Sequence, residues 1–237
     1  MNLGPDLSDR LNGAVRHFWG TRNDQSSGTD DDSGRGAVVG GAHMDGFVEL
    51  VRDLLIENGV PREWIRLRSG ELHLPGFFRA TKQWDLLVVN DGVLIAAVEY
   101  KSQVGSFGNN YNNRTEEAIG NAVDLWTAFR ESAFQAQPRP WLGYLMLLED
   151  AKGSRRPIAV KEPHFQVFEV FRGASYAERY QELCRRLLLE RLYDGTCFLL
   201  SDRETGPHGS FVTPDRELGF ETFMRGLISH AVSQVGA

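Results

Sequence analysis

Apolar residues recur along this chain with two periods, one helical and one extended. Leu7, Leu11, Val15, Phe18 and Trp19 are three or four apart, which predicts an amphipathic helix within residues 1–22. Met44, Phe47, Val48, Val51, Leu54 and Leu55 repeat that spacing and predict a second helix. Leu86–Val89 and Val93–Val98 are short, apolar and rich in β-branched residues, as a pair of buried strands is. Asp91-Gly92 lies between them and predicts a tight turn, because glycine accepts the positive φ that such a turn needs. Trp64–Arg68, Trp141–Leu148 and Thr196–Leu200 read as further strands. Ile119, Ala122, Val123 and Trp126 give one more helix its buried stripe. Tyr176, Tyr180, Leu183, Leu187 and Leu188 define another through about Leu192, and Leu218–Val232 a last one. Strands alternating with helices predict an α/β fold, a mixed β-sheet flanked by helices.

The polar stretches set the organisation. Residues 23–41 are rich in Gly, Ser and Asp, with Asp30-Asp31-Asp32 inside, and read as a flexible acidic loop. Residues 42–237 then form one domain. Gly70–Thr81 reads as a loop turning at Pro75-Gly76. Residues Ser102–Arg114 are dominated by glycines, amides and hydroxyls and read as a long exposed loop. Asn113 with Glu116 three residues on is a capping-box pattern, which starts the next helix near Arg114.

Composition is that of an ordinary globular chain with a net charge of −6, so no global basic field points to nucleic acid. Basic residues do cluster locally at Arg62, Arg66 and Arg68, at Arg79 and Lys82, and at Lys152, Arg155, Arg156 and Lys161. Cys184 and Cys197 sit in apolar contexts and read as buried free thiols of a cytoplasmic protein. No apolar run reaches the ~18 residues of a membrane span. Met1–Asp9 is polar and slightly acidic, unlike a signal peptide. The histidines show no zinc spacing, and no phosphate-binding loop or nucleophile elbow occurs.

Chemistry gathers at the ends of the strand pair. Asp85 opens the first strand, and Glu99-Tyr100-Lys101 closes the second. Charges there are costly to bury unless they are paired or hold a metal. Two turns are open to the sequence. A two-residue loop pairs Asn90 with Val93 and sets Asp85 opposite Val98, on the other face from Glu99 and Lys101. A three-residue loop with Gly92 in a bulge pairs Val89 with Val93, and all three charges then share a face. If they act together, the bulged turn is the one required. Two carboxylates and a lysine suit phosphodiester hydrolysis, because Mg²⁺ takes one or two carboxylates, keeps several waters and binds phosphate oxygens. The lysine steadies the attacking hydroxide and developing negative charge.

Asp85, Glu99 and Lys101 on a hairpin resemble the P-D…(D/E)-x-K nuclease motif, with Trp84 where that motif often has proline. The run WDLLVVNDGVLIAAVEYKSQVGSFGNNYNNRTEEAIGNA is similar to the XhoI-type restriction endonucleases, and the resemblance covers roughly Gly41 to the C-terminus. It implies the restriction-endonuclease-like core. It also implies a prokaryotic Mg²⁺-dependent enzyme that cuts double-stranded DNA at a palindrome, CTCGAG, leaving 5′-phosphates. Asp85 and Glu99 would hold the metal. Glu49, on the helix before the hairpin, would join the catalytic set, with Asp45 and Asp53 as competitors for that place. Asn109, Asn110, Asn112 and Arg114 would contact DNA, as amides and guanidinium groups suit adenine and guanine edges. The basic run Lys152, Arg155 and Arg156 would contact DNA as well. A homodimer matches the two-fold symmetry of a palindrome, and either the N-terminal helix or the helix over Arg114–Arg130 is a candidate contact. A functionally linked DNA methyltransferase is implied too. A repair or recombination nuclease, or a non-catalytic DNA-binding module on the same fold, are the alternatives.

Overall fold

The computed structural model describes residues 2–27 and 42–235, with no side-chain placement for residues 25–27. Among these, helices α1 (Leu7–Ser27), α2 (Asp45–Glu57), α3 (Phe107–Arg130), α4 (Tyr176–Leu189) and α5 (Phe220–Ser233) surround a central sheet. Its strands are β1 (Ile65–Arg66), β4 (Leu86–Asn90), β5 (Val93–Gln103), β6 (Trp141–Glu149) and β7 (Gly195–Ser201), in the order β1-β4-β5-β6-β7. β1, β4 and β5 run antiparallel, whereas β5, β6 and β7 run parallel, so the sheet is mixed as expected.

Two apolar layers cover the sheet. On one face, Phe18, Phe47, Leu54 and Phe223 from α1, α2 and α5 meet Leu86, Val88, Val98 and Leu145. On the other, Ala118, Ala122 and Leu125 of α3 and Tyr180 and Leu187 of α4 meet Leu87, Ala97, Tyr144 and Phe198. Both cysteines lie in these layers, buried and unpaired.

The structure departs from the sequence pattern at several places. α1 continues to Ser27, so residues 23–27 of the expected loop are helical. A polar run adds turns cheaply to a helix already nucleated by a buried face. Residues 28–41 lie outside the described residues. Gly70–Thr81 is not simply a loop: β2 (His73–Pro75) and β3 (Thr81–Gln83) pair as an antiparallel hairpin. Its tip comes so close to α3 that a Cβ on Gly76 would sit 2.6 Å from Asp124 Oδ2. α4 stops at Leu189, three residues short of Leu192, because Arg191 takes a left-handed conformation with φ of 54°.

The largest difference is at α3. It begins at Phe107, so Asn109, Asn110, Asn112, Asn113 and Arg114 are on its first two turns rather than in a loop. Asparagine is a poor helix former, but the packing of Phe107 and Tyr111 overrides that small cost. Tyr111 meets Tyr180 edge-on at 5.1 Å, and Phe107 stacks on Tyr176 at 6.3 Å. Gly108 permits this approach, since a Cβ there would lie 2.9 Å from the Tyr176 hydroxyl. The buried stripe of α3 is Ala118, Asn121, Ala122, Leu125 and Ala128, with Trp126 at its border. Ile119 and Val123, expected inside, are exposed.

Candidate active site

The β4–β5 hairpin resolves the question of register by a third route. Its turn is the two-residue one: Asn90 pairs with Val93, and Asp91 and Gly92 have φ of 46° and 81°. The irregularity lies further along, where the register shifts between Val88 and Val89 and leaves Ile95 as an extra residue of β5. Ile95 and Ala96 therefore both face the α1 side. Beyond the bulge Leu86 pairs with Val98 and the Asp85 N–H reaches the Val98 carbonyl, so continuing the register puts Asp85 across from Glu99. A bulge was required for the three charges to share a face, but it belongs to the strand rather than to the turn.

Asp85 Oδ2 accepts the Tyr100 backbone N–H at 2.7 Å. Glu99 is 2 % exposed and accepts from two lysines, Lys82 Nζ at 2.7 Å on Oε2 and Lys101 Nζ on Oε1. Lys82 comes from β3 and lies 4.5 Å from the centre of the Trp84 ring. Tryptophan at this position therefore supplies a platform for the second lysine. The sequence had Lys82 only as part of a basic cluster, because nothing in the spacing announces that β3 runs beside β5.

The electrostatics follow from this crowding. Burial, then the neighbouring Glu99, push the Asp85 carboxyl up to about 6, against the pull of Lys101, the Tyr100 N–H and Lys82. Burial draws the Lys101 ammonium down, but Glu99 and Asp85 outweigh it and hold it above its ordinary range. A carboxylate raised by a second carboxylate is a pair that a divalent cation relieves. Among the described residues no three His, Cys, Asp or Glu side chains converge as a metal cluster. A two-carboxylate set suits Mg²⁺, which completes its shell with water and phosphate oxygens. Asp85 has open acceptor capacity for the ion, whereas both Glu99 oxygens hold lysines and would exchange one of them to share it.

Asp85 and Lys101 line a cavity of about 710 Å³ together with Asp45, Val48, His43, Arg22 and Arg114. Glu49 is exposed on α2 and is not among the lining residues, whereas Asp45, one turn earlier, is. Asp53 pairs with its neighbour Arg52 at 2.7 Å. Of the expected DNA contacts, Arg114 reaches the cavity, and Asn109 and Asn112 are exposed on the first turns of α3. Asn110 is half-buried on the same turns. Lys152, Arg155 and Arg156 are exposed around a single helical turn, Lys152–Arg155. That turn sits beside the start of α3, because Gly153 packs against the Phe107 ring. Arg155 is held by Asp150, with contacts of 2.6 and 2.7 Å. His43 and Arg22 were not found by sequence reasoning. Neither belongs to a motif, and both reach the cavity only through packing of α1 and the turn before α2.

Comparison with known proteins gives one consistent picture. A family model described as restriction endonuclease XhoI matches residues 23–213. The type II restriction enzyme BstVI of Geobacillus stearothermophilus is 49% identical over 218 residues, 90% of this chain and 96% of that protein. The type II restriction enzyme XhoI of Xanthomonas vasicola is 45% identical over 181 residues, 74% of this chain and 73% of that protein. The type II restriction enzyme AbrI of Azospirillum brasilense is 50% identical over 167 residues, 68% of this chain and 75% of that protein. No solved structure gives a significant match.

Proposed function

The chain belongs to the XhoI family of type II restriction endonucleases, and we propose that it hydrolyses both strands of a palindromic site through Asp85, Glu99 and Lys101. The observation that carries this is the strand bulge that sets Asp85 across from Glu99, with Lys101 two residues on along the same face. In this reading Asp85 and Glu99 hold Mg²⁺. Bound Mg²⁺ would neutralise phosphate charge and make its water more acidic. Lys101 Nζ, already at the Glu99 carboxylate, orients the attacking water and faces the negative charge that develops on the phosphate. Lys82 holds Glu99 in place while Lys101 turns to the water. Asn109, Asn110, Asn112 and Arg114 contact DNA from the first turns of α3, and Lys152, Arg155 and Arg156 contact the backbone beside them. Asp45, on the cavity wall, competes with Glu49 for the remaining acidic place. Magnesium titrations of Glu49→Gln and Asp45→Asn tell which of the two raises the ion concentration needed for cleavage.

The site sequence is proposed as CTCGAG, with 5′-phosphate ends, following the family resemblance. A homodimer would present one site to each strand. The apolar face of α1 is spent on its own core, while Ile119 and Val123 of α3 are exposed, which favours α3 as the dimer contact. A cognate DNA methyltransferase would protect the host sequence. A plasmid carrying one CTCGAG tests this: one cut with Mg²⁺, none with EDTA and none after methylation of the site. Cutting elsewhere overturns the site sequence. No cutting of any duplex overturns the nuclease reading in favour of a binding module, and cutting without sequence preference favours a repair nuclease.

A further inference from the structure

The N-terminal helix does more than pack. Phe18 and Trp19 are fully buried, so the end of α1 is fixed against the body of the protein. Arg22, one turn on, lines the same cavity as Asp85 and Lys101. Its guanidinium lies 6.0 Å from the Phe18 ring centre, and its Nε is buried with no hydrogen-bond partner among the described residues. Burial, then nearby Arg203, pull it below its ordinary range, against Glu149. The cavity wall carries three more such atoms, one of them the Tyr100 hydroxyl. Arg114 of α3 bonds Glu117 through Nη1 at 2.6 Å, but its Nε is buried and unpartnered. His43 shares a proton with Ser102 Oγ through Nε2 at 2.9 Å and leaves Nδ1 buried without a partner.

Three elements that are distant in sequence thus bring side chains with unsatisfied, solvent-shielded nitrogens to the wall of one cavity. Buried polar atoms in native proteins are almost always paired, so four orphans along one wall mark a place with more polar capacity than the protein itself satisfies. Two guanidinium groups there call for a ligand with negative charge and acceptor oxygens. Lys101 and Asp85 on the same wall place it beside the reacting phosphate.

We propose that Arg22, with Arg114 and His43, forms a clamp for a DNA phosphate next to the one that is cut. This rests on the nuclease reading above and makes the N-terminal helix part of the DNA site. The family match begins at residue 23, one position past Arg22, so the family match does not reach this residue. Arg22 would bind and position the backbone without touching the reacting atoms.

The test measures binding of short duplexes built around the mapped cut site, with Ca²⁺ in place of Mg²⁺. Arg22→Ala is expected to weaken binding at least about tenfold. It should also lower the slope of log affinity against log salt by about one phosphate contact. Arg22→Lys should recover part of the loss. In the wild type, one neutral methylphosphonate beside the scissile position should weaken binding by a similar factor. That substitution should cost the Arg22→Ala protein nothing further. Losses that add at every phosphate, or an unchanged salt slope, overturn the clamp. If Arg22→Ala does not fold, the wild-type methylphosphonate scan still decides, since no sensitive phosphate beside the cut leaves the clamp without a ligand. A wild type that cuts normally while binding ignores Arg22 sinks the clamp alone. A wild type that cuts no duplex sinks the nuclease reading first.

Discussion

Asp85 and Asp124 are both carboxylates drawn into the protein, and they have been made into opposite things. Asp124 is buried on α3, where Oδ1 accepts the N–H groups of Phe77 and Phe78, each at 2.8 Å, and Oδ2 accepts Arg79 Nε at 2.7 Å. Asn121, one turn before it, accepts Arg79 Nη2 at 2.8 Å. Burial raises the Asp124 carboxyl, but the Phe78 N–H, Arg79 and the Phe77 N–H outweigh it and hold it below the usual range. Its acceptor capacity is taken up, and the result is mechanical: the β2–β3 tip is pinned to α3. Asp85 has one backbone donor, a carboxylate across from it and a cavity before it, and it is held up at about 6. A carboxylate with matched donors fastens a fold, whereas one left short of donors beside another carboxylate keeps acceptor capacity for a ligand.

The contrast breaks most sharply through activity. Glu99→Gln and Asp85→Asn should each lower the cleavage rate by at least about 10²–10³-fold while duplex binding in Ca²⁺ persists, as removal of a transition-state electrostatic group does. Single-turnover cleavage rates close to wild type would remove either residue from the chemistry. Asp124→Ala should act on stability instead. It strands two backbone N–H groups and a guanidinium, at a cost of about 2–4 kcal/mol, read as a lower urea midpoint. An unchanged midpoint would mean the tip is not fastened by this carboxylate.

pH sharpens the comparison through a third buried group. Burial, then Arg22, Arg114 and His17, push the His43 imidazole from its ordinary value of 6.5 to about 4. Between these values the unfolded chain binds the proton and the folded chain does not. Stability from this group is therefore whole above about 6.5, falls as pH drops toward 4 and levels below it, by about 3 kcal/mol at most. His43→Gln should flatten that part of the stability–pH curve, and an unaltered curve would show that the imidazole is not held neutral. The smallest effect is expected at Arg79→Ala. Asp124 keeps its two backbone donors, and the arginine is 43% exposed, so the loss should stay near about 1 kcal/mol. A loss as large as that of Asp124→Ala would make the ion pair, rather than the N–H groups, the fastening.

Much of this was legible in the chain. Short β-branched runs gave β4, β5, β6 and β7 to within a few residues, and helical spacing gave α1, α2, α4 and α5. Asp91-Gly92 gave the turn, because positive φ at successive residues is a local demand that the sequence must meet locally. Asp85, Glu99 and Lys101 stood out for the same reason, as charges at the ends of strands that otherwise exclude them. The misreadings share one cause. The start of α3 looked like a loop because asparagine and glycine disfavour helix locally, and only aromatic packing from α4 reversed it. Ile119 and Val123 looked buried because apolar spacing names a stripe but not the side from which the sheet approaches.

The sequence by itself determined the order of the long helices and of the central-sheet strands, the Asp91-Gly92 hairpin and the acidic pair with its lysine, since these rest on periodicity and on chemistry within a few residues. Only the tertiary structure decided the rest. It placed the bulge at Ile95 that turns Asp85 toward Glu99. It brought Lys82 to Glu99, clamped Phe77 and Phe78 on Asp124, and gathered Arg22, His43 and Arg114 at one cavity. Each of these is a contact between residues far apart in sequence, and its energy depends on burial and mutual distance, which no local pattern encodes.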